Sequence, residues 1–401
     1  MQLLLQFRLE DFMSVFGTHG THGTHGTHGT HGTHGTHGTH GTHGTHGGGG
    51  SPFLASALAL TAEALMGYWD GTAAPPTPDG ANDLTRLMRL QPHSRGEVLA
   101  HEAMSLFTVR PGLPPAYLVR TESDLVSLSP PGPAKIAEQM TDVRSAMDLR
   151  ADRLPEILAQ TDDLLSFFNA QSPHSPHRRP FTVLLITALY DSVVSQEQRM
   201  KHLCSVPRPV DLSPQIQPII QTPGHSAYPS GHATEAFAFA TIFAALRLAG
   251  AGTADSALID TLLGKLAPVV EAAPDTDPVI LLFRLAARIA DNRTIAGVHY
   301  PLDSAHGGLL GLSLALGFVA HCLGGGPARP VPEWVARGDD WSGDFSLRKW
   351  CAALGASTPH GWRSGTTTLP AAEGWHLLPA LWQAAVAEWA RPAAPVTDPS
   401  G

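Results

Sequence analysis

Residues able to bind and transform an oxyanion lie in three short clusters in the second half of the chain. In chain order, the clusters contain Lys201 and Arg208, then Ser230, Gly231 and His232, and finally Arg293, His299 and Asp303. A tetrahedral anion such as phosphate or vanadate needs several donors that converge on its oxygens. Arginine offers a planar pair of donors and lysine a mobile point charge. The three cations therefore predict one anion site that the fold must assemble.

The second cluster adds backbone donors to this site. A helix is predicted to begin near His232, directly after Ser230 and Gly231. The unpaired N–H groups at a helix N-terminus bind anions, and glycine lets an anion approach the backbone closely. The Ser230 hydroxyl is a further donor. We therefore expect the start of this helix to form part of the anion site.

The two histidines are expected to have different roles. Asp303 follows His299 by four residues, about one helical turn. Its carboxylate would fix the tautomer of His299 and leave the other ring nitrogen facing the anion, as in a catalytic triad. His232 has Ala236 in the equivalent place. We therefore assign His299 as the nucleophile or covalent ligand and His232 as the general acid–base. The alternative for Asp303 is an acid favoured by the helix dipole.

Apolar helices must hold these clusters together, and the predicted fold class is mainly α. The four core helices are expected at Phe181–Leu203, His232–Leu248, Val279–Ala290 and Leu309–Leu323. They are apolar on all sides, which indicates helices with neighbours on all sides. We expect one bundle with all three clusters at one end. Further helices are expected at Phe53–Trp69, Glu97–Phe107, Ala134–Arg150, Leu154–Ala170 and Gly374–Arg391, and one short strand at Tyr117–Arg120.

In this order and with these spacings, the clusters resemble the three-part signature of the type 2 phosphatidic acid phosphatase and vanadium haloperoxidase superfamily. The resemblance implies the helical bundle of these enzymes and the same roles for the two histidines. His225, seven residues before His232, resembles a histidine beside the cofactor of vanadium bromoperoxidases; the alternative is a loop histidine with no role. The residue before Arg293 is commonly serine or glycine in the family, and here it is Asn292.

The resemblance implies one of two reactions at the same pocket. The first is oxidation of halide by hydrogen peroxide at a vanadate cofactor bound to His299, with Lys201 and His232 assisting. The second is hydrolysis of phosphate esters through a phosphohistidine at His299, which requires no cofactor. The long helical region before the clusters and the presence of His225 favour the haloperoxidase. A third hypothesis is a non-enzymatic role in binding anions.

Composition disfavours other classes of protein. A net charge of −9 disfavours a nucleic-acid binder, which needs a basic surface. The three cysteines are far apart and predict neither a disulfide framework nor a thiolate metal site. The most apolar run, Gly307–Ala320, is shorter than the ~20 residues of a membrane span, so no span is expected. The expected partner is a small-molecule substrate, with a homo-oligomer left open. Without an evident signal peptide the expected location is the cytoplasm, with the periplasm and secretion left open.

A repeat near the start divides the chain. Gly-Thr-His occurs ten times from Gly17 to His46. A tract without apolar residues cannot build a core, so residues 1–50 are predicted to be disordered, with weak metal capture by the imidazoles as the alternative. We expect a helical N-terminal region over residues 51–180, a catalytic core over 181–325 and a helical tail over 326–401. Glu197 and Glu235 are expected to be surface or packing residues.

Overall fold

Helices make up most of the described chain, which confirms the mainly α fold class. The computed structural model describes residues 52–65, 80, 83–112, 117–120, 124–267, 276–324, 329–355, 361–369 and 376–390. The repeat and the rest of residues 1–50 lie outside this part of the chain. The helices are α1 (Pro52–Leu65), α2 (Leu84–Met88), α3 (Pro92–Ser105), α4 (Pro133–Ala146), α5 (Arg150–Ala159), α6 (Leu165–Gln171), α7 (Pro180–Cys204), α8 (Pro209–Leu212), α9 (Gly231–Gly250), α10 (Leu258–Leu266), α11 (Pro278–Ile295), α12 (Pro301–Cys322), α13 (Leu347–Ala353) and α14 (Leu377–Ala390).

The core is a bundle built around α9. This helix packs on α12 and α11 most extensively, and also on α7 and α14. Ala residues line much of α9, and Gly311 of α12 lies directly against its backbone: a Cβ at Gly311 would overlap the carbonyl oxygen of Thr234. The two helices therefore approach closely near their N-terminal halves, which brings the beginnings of α9 and α12 to the same end of the bundle.

Two core helices, α9 and α12, are long and apolar enough to cross a membrane. The helix α12 extends the apolar run seen in the sequence to 22 residues. Most of the apolar stretch of each helix is buried inside the protein. Burial by protein neighbours explains their composition, because a helix surrounded by others is apolar on every face. The absence of a membrane span stays a prediction.

A five-stranded sheet lies beside the bundle. The strand expected at Tyr117–Arg120 is confirmed, but the expectation that it would be the only one is wrong. The strands are β1 (Thr108–Pro111), β2 (Tyr117–Arg120), β3 (Asp124–Leu128), β4 (Arg329–Ala336) and β5 (Arg363–Leu369), in that spatial order. Neighbouring strands are antiparallel except β3 and β4, which are parallel. This pairing joins the predicted N-terminal region to the predicted tail, and the tail is therefore not purely helical. The domain boundaries stay predictions.

The expectation of one helix over Leu154–Ala170 is also wrong, because the segment forms two helices, α5 and α6, with an interruption between them. The helix α5 ends at Ala159, with Gln160 as its C-cap. The side chain of Asp163 then accepts a hydrogen bond from the backbone N–H of Ser166 (2.9 Å), which starts the next helix. An aspartate that binds a backbone N–H three residues ahead favours a new helix N-terminus over continuation of the old helix. The break leaves Gln160 facing the core bundle.

Candidate active site

Lys201 lies in the last turn of α7 and is almost fully buried. The helix ends because Ser205 takes a left-handed conformation, with φ of 50°. The Lys201 ammonium donates to the carbonyl oxygens of Pro229 and Ser226, the second at 3.4 Å. Burial lowers the pKa of Lys201 to about 8. The first cluster therefore fixes the loop that carries the second.

Arg208 connects the third cluster to the loop that precedes the second cluster through its guanidinium group. Its Nη1 donates to the Val298 carbonyl (2.8 Å) and to Nε2 of His299 (3.1 Å). Its Nη2 contacts Nδ1 of His225 (3.1 Å), and its Nε donates to the His225 carbonyl (3.1 Å). A planar fork that binds several partners at once holds them in one geometry. The prediction that the clusters meet at one end of the bundle is confirmed for these residues.

His299 is held in a defined tautomer by its two neighbours. Arginine can only donate, so Nε2 of His299 must accept the bond from Arg208 and carries no proton. The proton lies on Nδ1, which donates to Oδ2 of Asp303 (3.2 Å). The same carboxylate oxygen accepts the backbone N–H of Tyr300 (2.9 Å), just before α12 begins. Burial, together with Arg208 and Lys201, lowers the pKa of His299 well below its usual value. A neutral imidazole with an unprotonated Nε2 is the form that a nucleophile requires.

His232 lies in the first turn of α9 and is oriented by the N-terminal region. Its Nε2–H donates to the backbone carbonyl of Gln160 (2.9 Å), which leaves Nδ1 as the nitrogen able to exchange a proton at the site. Burial and the nearby Arg293 lower the pKa of His232 well below its usual value. A bound anion opposes this shift, because a negative charge favours the imidazolium.

Ser230 and Gly231 begin α9, as expected. Ser230 is the N-cap and accepts from the N–H of Ala233 (3.4 Å), and its own N–H donates to the carbonyl of Asp303 (3.0 Å). The structure gives a second reason for a glycine at position 231, besides the close approach of an anion. A Cβ at this position would lie 2.7 Å from Oε1 of Glu197. The glycine therefore leaves room for a buried carboxyl group behind the start of the helix.

Arg293 is the cation with the most unused hydrogen-bonding capacity. It is 1% exposed, and only its Nη2 is bound, to Oε1 of Gln160 (2.9 Å) and the Ile157 carbonyl (3.3 Å). Its Nε and Nη1 are buried and have no hydrogen-bond partner in the described part of the chain. Unpaired buried donors are costly, so the free N–H groups of this guanidinium indicate capacity to bind an oxyanion.

A small enclosed cavity lies where these groups converge. Its polar walls are formed by Arg208, His225, Gly231, His232, Arg293 and His299. Three apolar residues complete the lining: Ile220, Pro223 and Val298. Three further predicted residues, Lys201, Ser230 and Asp303, are buried behind these walls and bind the wall residues or their loops. The structure thus brings the whole predicted set together, and the catalytic role of each residue stays a prediction.

Glu197 and Glu235 are not surface residues, and they belong to the surroundings of the site. Both are essentially unexposed, and no hydrogen bond to either carboxylate oxygen of Glu235 is found among the described residues. Burial raises the pKa of Glu197 to about 7, and burial together with Glu197 raises the pKa of Glu235 well above its usual range. Single acidic residues on otherwise apolar helices gave no spacing signal. Burial of one next to an anion site could not be foreseen.

Gln160 contacts the site directly and was missed by sequence reasoning. It is fully buried, and its Oε1 accepts from Arg293 (2.9 Å) and from Nδ2 of Asn292 (3.0 Å), while its carbonyl binds His232. Asn292, which departs from the family pattern, thus has a partner: its side chain also contacts Arg153 (3.0 Å) and Glu156 (3.2 Å). A lone glutamine outside any motif carries no sequence signal of this role.

A buried relay also supports the loop before Ser230. The Tyr228 hydroxyl contacts Nδ1 of His306 (2.7 Å), and Nε2 of His306 contacts Asp340 (2.8 Å). The other oxygen of Asp340 accepts from the indole N–H of Trp362 (3.0 Å). The relay connects the tail to the second cluster, so both flanking regions help to fix the site.

Comparison with known proteins agrees with this geometry. A family model described as the PAP2 superfamily matches residues 179–323, which run from the start of α7 to the end of α12. A search of curated proteins finds no match. The matched range contains all nine predicted site residues and excludes Gln160 and Asp340, which support them from outside. The segment 179–323 belongs to the PAP2 superfamily.

Proposed function

We propose that the protein is a vanadium-dependent haloperoxidase-type enzyme that oxidises halide with hydrogen peroxide. The observation that carries this proposal is the position of His225. Its Nδ1 contacts Arg208 at 3.1 Å, and the residue lines the same cavity as His232 and His299. Phosphoryl transfer needs one nucleophile and one acid–base, and the two other histidines supply these. A third imidazole in the wall of the cavity fits halide oxidation, in which the site must both bind halide and transfer protons.

The types of donor around the cavity fit a vanadate group, although the cavity of about 10 Å³ must widen to admit it. Arg293 offers two buried N–H groups without partners, and Nε2 of His299 offers an unshared electron pair once Arg208 moves off it. The N-terminus of α9 adds backbone donors. His299, Arg208 and Arg293 would hold the group. When bound, vanadate supplies a Lewis-acid centre that activates hydrogen peroxide toward halide.

The residues of the chain prepare this chemistry in three ways. Asp303 keeps the proton of His299 on Nδ1, so that Nε2 faces the cavity. The backbone carbonyl of Gln160 accepts a hydrogen bond from Nε2–H of His232, so that proton exchange takes place at Nδ1. The apolar residues Ile220, Pro223 and Val298 in the lining limit water, which strengthens the interaction of the cations with an anion.

The second candidate is a phosphatase, and an apolar cavity favours it. A cavity of about 570 Å³ lies beside the loop that precedes Arg208. Its lining includes Pro130, Pro133, Ile136, Val206 and Pro207. Such a cavity suits the organic group of a phosphate ester, which halide oxidation does not require. It shares no lining residue with the anion cavity, and the two adjoin in sequence at Pro207 and Arg208. In this reaction Nε2 of His299 attacks phosphorus as the ester P–O bond breaks, and His232 protonates the departing oxygen. Water then cleaves the phosphohistidine and returns a proton to His232.

A paired assay distinguishes the two candidates. Purified protein is tested for bromination of monochlorodimedone with vanadate, bromide and peroxide, and for hydrolysis of p-nitrophenyl phosphate without vanadate. We expect bromination that depends on vanadate and is lost in His299→Ala. Hydrolysis without bromination, inhibited by added vanadate, would replace the proposal with the phosphatase. Failure of both reactions in a folded protein that still binds vanadate would favour a non-enzymatic role.

A further inference from the structure

Three potential metal ligands meet at the end of the bundle far from the anion site. Glu102 comes from α3, His321 from the last turn of α12, and His376 immediately precedes α14. One ligand atom from each residue lies within 4.8 Å of the other two. His321 and Asp303 are eighteen positions apart on α12, which corresponds to about 27 Å along the helix. The group is thus separate from the oxyanion site.

The spacing of the ligand atoms is unsuited to direct hydrogen bonds and close to that of a zinc site. Oε1 of Glu102 lies 3.7 Å from Nε2 of His321 and 3.6 Å from Nδ1 of His376. Both distances exceed those of a hydrogen bond. Ligands at about 2.0–2.1 Å from a tetrahedral zinc ion are about 3.4 Å apart, so Glu102 is spaced to share an ion with each histidine. The two histidine nitrogens lie within 4.8 Å of each other and would approach to the same spacing around one ion.

The carboxylate of Glu102 is already oriented for such a role. Its two oxygens accept the backbone N–H groups of Leu378 (3.0 Å) and Leu377 (2.8 Å) at the start of α14. Hydrogen bonds from outside the ligand set fix metal-binding side chains in proteins. One lone pair of Oε1 remains for an ion.

His321 has a buried nitrogen that lies at ion-pair distance from the Glu102 carboxylate, 3.7 Å. Its Nε2 is shielded from solvent and makes no hydrogen bond in the described part of the chain, although the carboxylate is nearby. The side chains of Glu102 and His321 are each 12% exposed, whereas that of His376 is 31% exposed. The cluster is therefore open on the side of His376, where an ion can enter and a water can supply a fourth ligand.

We propose that Glu102, His321 and His376 form a structural site for a divalent transition-metal ion such as Zn²⁺. Two imidazoles and one carboxylate are a ligand set that zinc accepts. The ion would join α3, α12 and α14, and thereby fasten the N-terminal region and the tail to the core. The three ligands come together only in the folded protein, so binding of the ion stabilises the folded state and raises the melting temperature.

Cobalt spectroscopy and thermal melting of the full-length chain test this proposal. Co²⁺ in a tetrahedral site absorbs visible light more strongly than octahedral Co²⁺. We expect one strongly absorbing equivalent in the wild type, and a melting temperature that rises by several degrees with Zn²⁺. Both effects should be lost in His321→Ala and in His376→Ala. His101→Ala, an exposed histidine beside Glu102 on α3, is the matched control and should keep both.

The design separates this site from other histidines. The Gly-Thr-His repeat is present in every variant, so its metal binding cancels in the comparison. His376 is partly exposed, and its replacement should leave the fold intact, as near-ultraviolet circular dichroism can verify. Equal cobalt spectra in all four proteins would overturn the proposal, as would a wild type with no tetrahedral signal. The latter result would identify the cluster as a Glu102–histidine ion pair. No outcome depends on the catalytic assays.

Discussion

Replacement of Gln160 by methionine tests whether the N-terminal region positions the anion site. Methionine nearly matches the volume of glutamine but removes the bonds of Oε1 to Arg293 (2.9 Å) and Asn292 (3.0 Å). The backbone carbonyl that binds His232 remains. A hydrogen bond to a charged group contributes about 1.5–3 kcal/mol and a neutral one about 0.5–1.5 kcal/mol. The variant should therefore lose roughly 2–4.5 kcal/mol of folding stability.

Part of this loss should appear in the affinity for oxyanions. Without Gln160, Nη2 of Arg293 keeps only the long contact to the Ile157 carbonyl (3.3 Å), so the guanidinium is no longer fixed. We expect vanadate or phosphate to bind about 10–100-fold more weakly, or roughly 1.4–2.7 kcal/mol. Turnover at saturation should fall less, because His232 keeps its partner. Isothermal titration calorimetry and steady-state kinetics measure the two effects.

Two further variants make the test specific. Gln160→Glu should keep Arg293 oriented but add a carboxylate that competes with the anion, so affinity should fall even though the arginine is held. Gln139→Met is the control for stability: Gln139 is also buried and makes two hydrogen bonds, to Leu302 (2.9 Å) and Trp341 (3.3 Å). It should lower the melting temperature without changing anion affinity. If Gln160→Met binds vanadate as tightly as the wild type, the reasoning is refuted.

Four other outcomes follow from the site and the sequence. His299→Ala should abolish turnover, whereas His232→Ala should retain anion binding by calorimetry and lose roughly 10²–10⁴-fold in rate; the opposite pattern would reverse the two roles. Asp303→Asn should fall between them in the same kinetic assay, because Oδ2 accepts both known bonds and an amide oxygen can replace it, so that mainly the charge is lost. Anion affinity should decline as pH rises through about 8, where Lys201 loses its proton, since burial lowers its pKa to that value; a flat calorimetric profile from pH 7 to 9 would contradict this. Deletion of Gly17–Gly50 should leave the melting temperature and activity unchanged in a thermal scan and rate assay, and a drop of several degrees would mean that the tract contributes to the fold.

The sequence was most informative where chemistry depends on local spacing. Lys201 lies in the last turn of α7, with Arg208 just before α8. His299 and Asp303 lie at the start of α12, where their spacing indicated. The core helices α7 and α9 were predicted within two residues at each end, because long apolar segments bounded by proline and glycine leave few alternatives. In contrast, α11 ends five residues later and α12 begins eight residues earlier than expected. These features depend on contacts between residues close in sequence, or on composition averaged over a helix.

The strands β3 and β4 could not be recognised in the sequence, because their residues lack the pattern typical of a strand. Leu125, Val126, Ser127 and Leu128 of β3 are all buried, so the strand lacks the alternation of a half-exposed one. The strand β4 contains two prolines, which argue against a strand in sequence. In the structure, β3 pairs with β4 only from Trp334 onward, past both prolines, so their missing N–H groups leave that ladder intact.

Charge at the anion site depends on residues whose role the sequence does not reveal. Lys201, Arg208 and Arg293 are buried together with Glu197, Glu235 and Asp303. If all six were ionised, the cations and carboxylates would cancel and the cavity would have little attraction for an oxyanion. Burial, together with Glu197, instead raises the pKa of Glu235 well above its usual value, and burial raises the pKa values of Glu197 and Asp303 to about 7. These shifts favour the protonated form of each carboxyl group, and thereby a net positive charge at the site. The same burial requires the N-terminal region and the tail to enclose the bundle, which is why Gln160 and Asp340, far from any motif, contribute to the site.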